Sequence, residues 1–189
     1  MEKSIIAVLL IGAALIGYTT ISNYFTPEEI GACSCDSIED MVAWAEGKKA
    51  CVYKDSLGIP TIGIGFNLKR SDARSVCSRC GVDYDAIYSG SKCLSDSQIS
   101  CLFNYDLSWA QDGARSCVPS YYSHHRCIQN VLVDMTFNMG KTSLCGWPNF
   151  VKQLGNKDYQ GAATNMKSTK WCGQVGRRCT RNVVLVQSC

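Results

Sequence analysis

The chain of 189 residues and 20.7 kDa is long enough for one domain with a hydrophobic core of its own. Hydrophobic residues make up 46% and charged residues 19%, which excludes wholesale disorder, and 4 prolines without a glycine period exclude collagen-like or proline-rich architecture. A formal net charge of +3 is too small to argue for nucleic acid, while 13 cysteines favour a disulfide framework outside a reducing cytosol and, being odd in number, leave at least one unpaired within the chain.

In chain order, Glu2 and Lys3 precede an uncharged run from Ile5 to Tyr18. That run suits the core of a secretory signal and falls short of the roughly 20 residues a spanning helix needs. Residues 1–22 are therefore expected to be a signal peptide cleaved between 18 and 25, leaving 23–189 as one exported domain. An uncleaved membrane anchor stretching to Phe25 is the alternative. Asp36-Ser37-Ile38-Glu39 has the pattern of a capping box, and Ile38, Met41, Val42 and Ala45 follow at helical spacing up to Glu46, with Gly47 as the stop signal. From Cys51 the period changes. Cys51–Lys54 reads as a short strand, Asp55-Ser56-Leu57-Gly58 as a turn, and Ile59–Phe66 as one returning strand. Residues 69–93 read as loop with at most one short helix. Ser95-Asp96-Ser97-Gln98 is a second capping box, leading into Ile99, Leu102, Phe103 and Leu107. Ile128, Val131, Leu132 and Met135 form an apolar stripe closed by Gly140. Pro148 opens a helix, Tyr159–Met166 makes another, and 175–187 reads as a single last helix. The sum is α+β: a small N-terminal β-hairpin lobe and a larger helical lobe.

Chemistry is sought first in carboxylates. Glu46 falls in the last turn of a helix, where the negative end of the macrodipole disfavours ionisation, and a protonated carboxyl is what a general acid needs. Asp55 falls nine residues on, in the hairpin turn. Two carboxyl groups on different elements bordering a groove are the minimum for glycoside hydrolysis. On residue types alone the pairing is weak, since 16 acidic residues offer many such pairs.

The local pattern is more specific. Glu46-Gly47-x5-Tyr53-Lys54-Asp55-x2-Gly58-x2-Thr61-Ile62-Gly63-Ile64-Gly65 resembles the active-site segment of phage-type lysozyme, a muramidase family. Asp134-Met135-Thr136-Phe137-Asn138-Met139-Gly140 resembles the family's central buried helix, and Trp147-Pro148-Asn149 the start of the next. Trp171-x2-Gln174-x3-Arg178-x2-Arg181 matches its C-terminal spacing. The resemblance implies a lysozyme-like fold with a cleft between the lobes. It implies Glu46 as the catalytic acid, Asp55 as the second acidic residue and Thr61 as a holder of the attacking water, with inversion at the sugar. Arg178 matches an arginine that pairs with the catalytic glutamate, and Gln174, Phe137, Trp147 and Trp171 match positions that support or line the cleft. No cofactor or metal is implied, and the expected partner is bacterial peptidoglycan, met by a secreted monomer (lysosomal or phagosomal residence being the variant).

The chain departs from that family in its cysteines, in the 69–93 segment, and at Phe66, where many members carry a polar ring. Cys77-x2-Cys80 with Cys93 and Cys101 has zinc-ligand spacing, but the other nine cysteines call for disulfides anyway. Cys189, beyond the matched blocks, is the expected odd thiol and the route to a disulfide-linked dimer. His124-His125 reads as a surface pair, neither ligand nor base. Arg177, Arg178 and Arg181 taken without the resemblance read as a solvated basic face. Two other functions remain: a non-catalytic peptidoglycan-binding protein on the same fold, and a membrane-anchored phage endolysin.

Overall fold

The computed structural model describes residues 34–55 and 57–189; the expected signal peptide, its cleavage region and Ser56 lie outside the described residues. Helix α1 (Ile38–Glu46) leads into strands β1 (Lys49–Lys54), β2 (Pro60–Gly63) and β3 (Phe66–Asn67). Then come α2 (Ala73–Arg79), α3 (Tyr84–Tyr88), the long α4 (Asp96–Cys117), a 3₁₀ turn over Tyr121–Ser123 and α5 (Arg126–Met139). The chain ends with α6 (Lys141–Cys145), α7 (Pro148–Gly155), α8 (Tyr159–Lys167), α9 (Lys170–Val175) and α10 (Arg177–Ser188). This is the α+β arrangement expected, with several local corrections. No described helix is long and apolar enough to cross a membrane.

The first correction is at α1, where the cap sits one residue later than the sequence pattern. Ser37 is the N-cap and its hydroxyl accepts from the Asp40 N–H. The returning strand is also not one strand. Gly63 and Gly65 both adopt left-handed backbone, with φ of 67° and 74°, so the chain turns between β2 and β3 and the sheet has three antiparallel strands in order β1-β2-β3. Thr61 pairs with Tyr53 on one side and Asn67 on the other. The 69–93 segment holds two short helices, α2 and α3, in place of loop with at most one. The expected last helix is broken at Gly176, whose φ of 49° and ψ of −111° separate α9 from α10. A non-glycine residue would be strained there.

Two cores organise the molecule. The smaller gathers Ile62, Phe66, Leu68, Val76, Ile87 and Leu94 around the sheet's inner face. The larger surrounds α5, where Ile128, Val131, Leu132 and Met135 are fully buried. Helix α4 serves both: Ile99 and Leu102 face the small core, while Phe103, Leu107, Ala110 and Ala114 face the large one. Its first turn carries the expected capping box, Ser95 and Gln98 bonding reciprocally. At the seam Arg70 bonds Asp72 and Asp106 and lies 4.9 Å from the centre of the Phe66 ring.

Five disulfides join described residues: Cys35–Cys127, Cys51–Cys93, Cys80–Cys101, Cys117–Cys145 and Cys172–Cys179. Of the zinc-spaced set, Cys80, Cys93 and Cys101 are taken up in bridges. Among the described residues the free thiol is not Cys189, which is itself disulfide-bonded, but the fourth member of that set, Cys77, fully buried in the small core. A further correction concerns the histidines. His124 is buried, its ring held between Ser120 Oγ at 2.8 Å and the Tyr159 hydroxyl at 3.1 Å. Only His125, the N-cap of α5, is exposed.

Candidate active site

Glu46 is the last residue of α1, and its exposure is set by what packs around it. Its side chain is 23% exposed and its Oε1 lies 2.5 Å from Nη1 of Arg178. Gly65, in the turn between β2 and β3, backs onto it: a Cβ at Gly65 would sit 3.2 Å from Glu46 Oε2. Gly65 is therefore required twice, by its left-handed φ and by the carboxylate beside it.

Arg178 comes from the first turn of α10 and is almost wholly buried. Its guanidinium is divided between two carboxylates. Nε and Nη2 donate to the two oxygens of Asp134 at 3.0 and 2.9 Å, Nη2 also reaches the Asp134 carbonyl, and Nη1 goes to Glu46. Asp134 has no exposure at all; it also accepts from Asn182 Nδ2 at 2.7 Å, and Arg181 Nη2 stands 3.4 Å away. Burial works against the Arg178 charge, but the Asp134 carboxylate and, after it, Glu46 outweigh burial and hold the group above its ordinary value. Arg181, also largely buried but less completely matched, is pushed down by burial despite Asp134. So Arg178 is no solvated basic residue, whereas Arg177 is exposed and rests against the Trp44 ring.

The second carboxylate stands on the other lobe. Asp55 follows β1, and its Oδ1 accepts from the backbone N–H groups of Leu57 and Ile59 at 2.8 and 2.9 Å. The turn is closed by Asp55 N–H to the Ile59 carbonyl and by Gly58 N–H to the Asp55 carbonyl. Thr61 is buried on β2, and its hydroxyl donates to the Ile59 carbonyl at 3.0 Å. Tyr53, opposite Thr61 in the ladder, connects the groups electrostatically: burial raises its phenol first, and the negative charges of Glu46 and Asp55 raise it further.

The supporting residues fall into place unevenly. Trp171 is buried, donates its indole N–H to Asn138 Oδ1 at 2.7 Å and meets Trp147 edge-on with ring centres 5.8 Å apart. Phe137 is half-buried against Phe103. Gln174 is exposed on α9. A depression of about 270 Å³ between Trp44, Ala45, Val175, Arg177 and Arg178 touches this group only through Arg178. Sequence reasoning found Glu46, Asp55, Thr61 and Arg178 but gave no role to Asp134, Asn182 or Tyr53. For Asp134 a signal existed, a lone carboxylate flanked by the apolar stripe of α5.

The sequence is similar to those of known proteins. The family model described as "Phage lysozyme" matches residues 43–183. "Probable T4-type lysozyme 1" of Dictyostelium discoideum is 27% identical over 161 residues, covering 80% of this chain and 94% of that protein. The endolysin of Salmonella phage P22 is 32% identical over 118 residues, 62% of this chain and 70% of its own.

Proposed function

The chain belongs to the phage lysozyme family and is a glycoside hydrolase; on that premise we propose that it is a secreted N-acetylmuramidase. It cleaves the β-1,4 bond between N-acetylmuramic acid and N-acetylglucosamine in bacterial peptidoglycan, with inversion, for defence against bacteria or their digestion. The observation that carries this reading is the pairing of Glu46 on the large lobe with Arg178, beside the β1–β2 hairpin of the small lobe that carries Asp55 in its turn and Thr61 on β2.

In this mechanism Glu46 donates its proton to the leaving glycosidic oxygen as positive charge develops on the sugar. The Asp55 carboxylate, fixed by two backbone N–H groups, stabilises that charge and orients a water on the opposite face of the ring. Thr61 spends its own proton on the Ile59 carbonyl, which leaves its Oγ1 lone pairs to accept from that water. A water held in this way attacks the anomeric carbon as the bond to the leaving oxygen breaks, gives its proton to the Asp55 carboxylate, and yields the inverted anomer. The net charge of +3 favours encounter with an anionic wall, and the disulfides fit an oxidising compartment.

The test is Glu46→Gln assayed on a cell-wall suspension. Release of reducing ends is expected to fall by about 10²–10⁴-fold with the melting temperature unchanged. Full activity in that variant removes Glu46 as the acid. Binding to peptidoglycan by a wild-type protein that releases no reducing ends replaces hydrolysis by the binding function. NMR of the first-formed anomer checks inversion.

A further inference from the structure

We propose that Asp134 is a positioning residue for the reaction: it fixes the Arg178 guanidinium against Glu46 and takes up part of its charge, so that Glu46 can hold the proton it must donate. This rests on the reading of Glu46 as the general acid given above.

The argument begins from a conflict. An arginine bonded to a carboxyl group favours the ionised form, whereas a general acid must keep its proton until the leaving oxygen needs it. An arginine devoted to Glu46 alone would work against catalysis. Here it is not so devoted. Two of the three guanidinium nitrogens of Arg178 are bonded to the fully buried Asp134, and only Nη1 is given to Glu46. At low dielectric a carboxylate this close cancels much of the guanidinium's field. Asp134 is itself held in place by Asn182, so the arrangement is rigid.

The remaining groups around Glu46 fix the sign. Arg181, from the same face of α10, stands near Asp134 and adds positive charge; its Nη1 bonds the Met41 carbonyl, while Nε and Nη2 lack a hydrogen-bond acceptor. Asp36 acts on Arg181 from the entry to α1. On the sheet side Tyr53 of β1 feels the charges of both Glu46 and Asp55. The buried set of Arg178, Arg181 and Asp134 therefore carries one net positive charge. Removing Asp134's charge makes it two, and removing Arg181's makes it zero.

The experiment follows the Glu46 carboxyl by ¹³C NMR against pH and, in parallel, kcat/KM on peptidoglycan fragments, using the whole chain. Asp134→Asn is expected to move the Glu46 midpoint, and the basic limb of kcat/KM with it, to lower pH by about one unit. Arg181→Gln is expected to move both to higher pH. The double variant Asp134→Asn with Arg181→Gln is expected to bring both back toward wild type. Arg181→Gln leaves the bonds from Asp134 to Arg178 and Asn182 intact, so it reads the same field should Asp134→Asn fold poorly. A Glu46 midpoint that stays put in a folded variant, or moves the same way in both single variants, overturns the proposal. Midpoints that move as stated in a protein without hydrolytic activity leave the field of Asp134 on Glu46 standing but overturn the hydrolase reading and, with it, the role of Asp134 in the reaction.

Discussion

The two lobes solve the same problem with different means. The large lobe builds its core from helices: α5 runs through the middle, α1, α4, α7, α8 and α10 cover it, and the bridges Cys35–Cys127, Cys117–Cys145 and Cys172–Cys179 tie helix to helix or to the segment before α1. The small lobe has a three-stranded sheet, two short helices and a face of α4 that it shares with its neighbour. Two bridges, Cys51–Cys93 and Cys80–Cys101, tie the sheet and α2 to α4 and the segment before it. The catalytic carboxyls proposed here are split along the same line. Glu46 is held by a buried ion network rooted in the large core, Asp55 by backbone N–H groups in a turn of the small lobe. One is fixed by tertiary contacts across 132 residues, the other by a loop of its own.

That difference can be broken from either side. The largest effect on folding is expected from the large lobe: Asp134→Ala strands the buried Arg178 guanidinium and should cost about 3–5 kcal/mol, read as a shift in urea midpoint. The double variant Cys51→Ser with Cys93→Ser removes a 42-residue closure from the small lobe. It should cost about 2–4 kcal/mol, and limited proteolysis should cut first between residues 49 and 93. Equal cutting in both lobes would mean that they unfold as one unit. At the seam, Arg70→Met leaves the largely buried Asp106 without its guanidinium. A loss of about 1–3 kcal/mol is expected, since burial already raises the Asp106 carboxyl.

The smallest effect is a dependence of stability on pH. Burial, with Lys157 second, holds His124 below its ordinary value of 6.5. Above 6.5 both the folded and the unfolded chain keep this ring neutral. As pH falls below 6.5 the unfolded chain takes up the proton first, so stability declines until the folded ring is protonated as well. In His124→Gln that part of the acid slope should vanish from thermal melts.

How much of this was legible in the sequence depended on range. The Ser95–Gln98 cap and the α5 stripe need only near neighbours, and they were read correctly. Glu46, Asp55 and Thr61 could be singled out together because the segment that carries them is nearly contiguous, and their roles stand as the proposal made above. The breaks at Gly63–Gly65 and Gly176 were missed. A glycine permits a left-handed residue but does not demand one, and Val183 and Val186 continue an apolar stripe that hides the stop before α10. His124 was placed on the surface because its partners Ser120 and Tyr159 are brought together only by the fold. The anchor at Asp134 was missed for the same reason, since its partners lie 44 and 48 residues away. Cysteine pairing was beyond reach because spacing does not encode it.

The buried thiol of Cys77 has a consequence for how the molecule can be watched. It sits at the centre of the small core, and burial, against a weaker pull from Arg70, raises it above its ordinary value, so little thiolate is present near neutral pH. An alkylating reagent can reach it only when the small lobe opens. The chain thus carries a built-in reporter, and its labelling rate measures the free energy of the opening that exposes the small core.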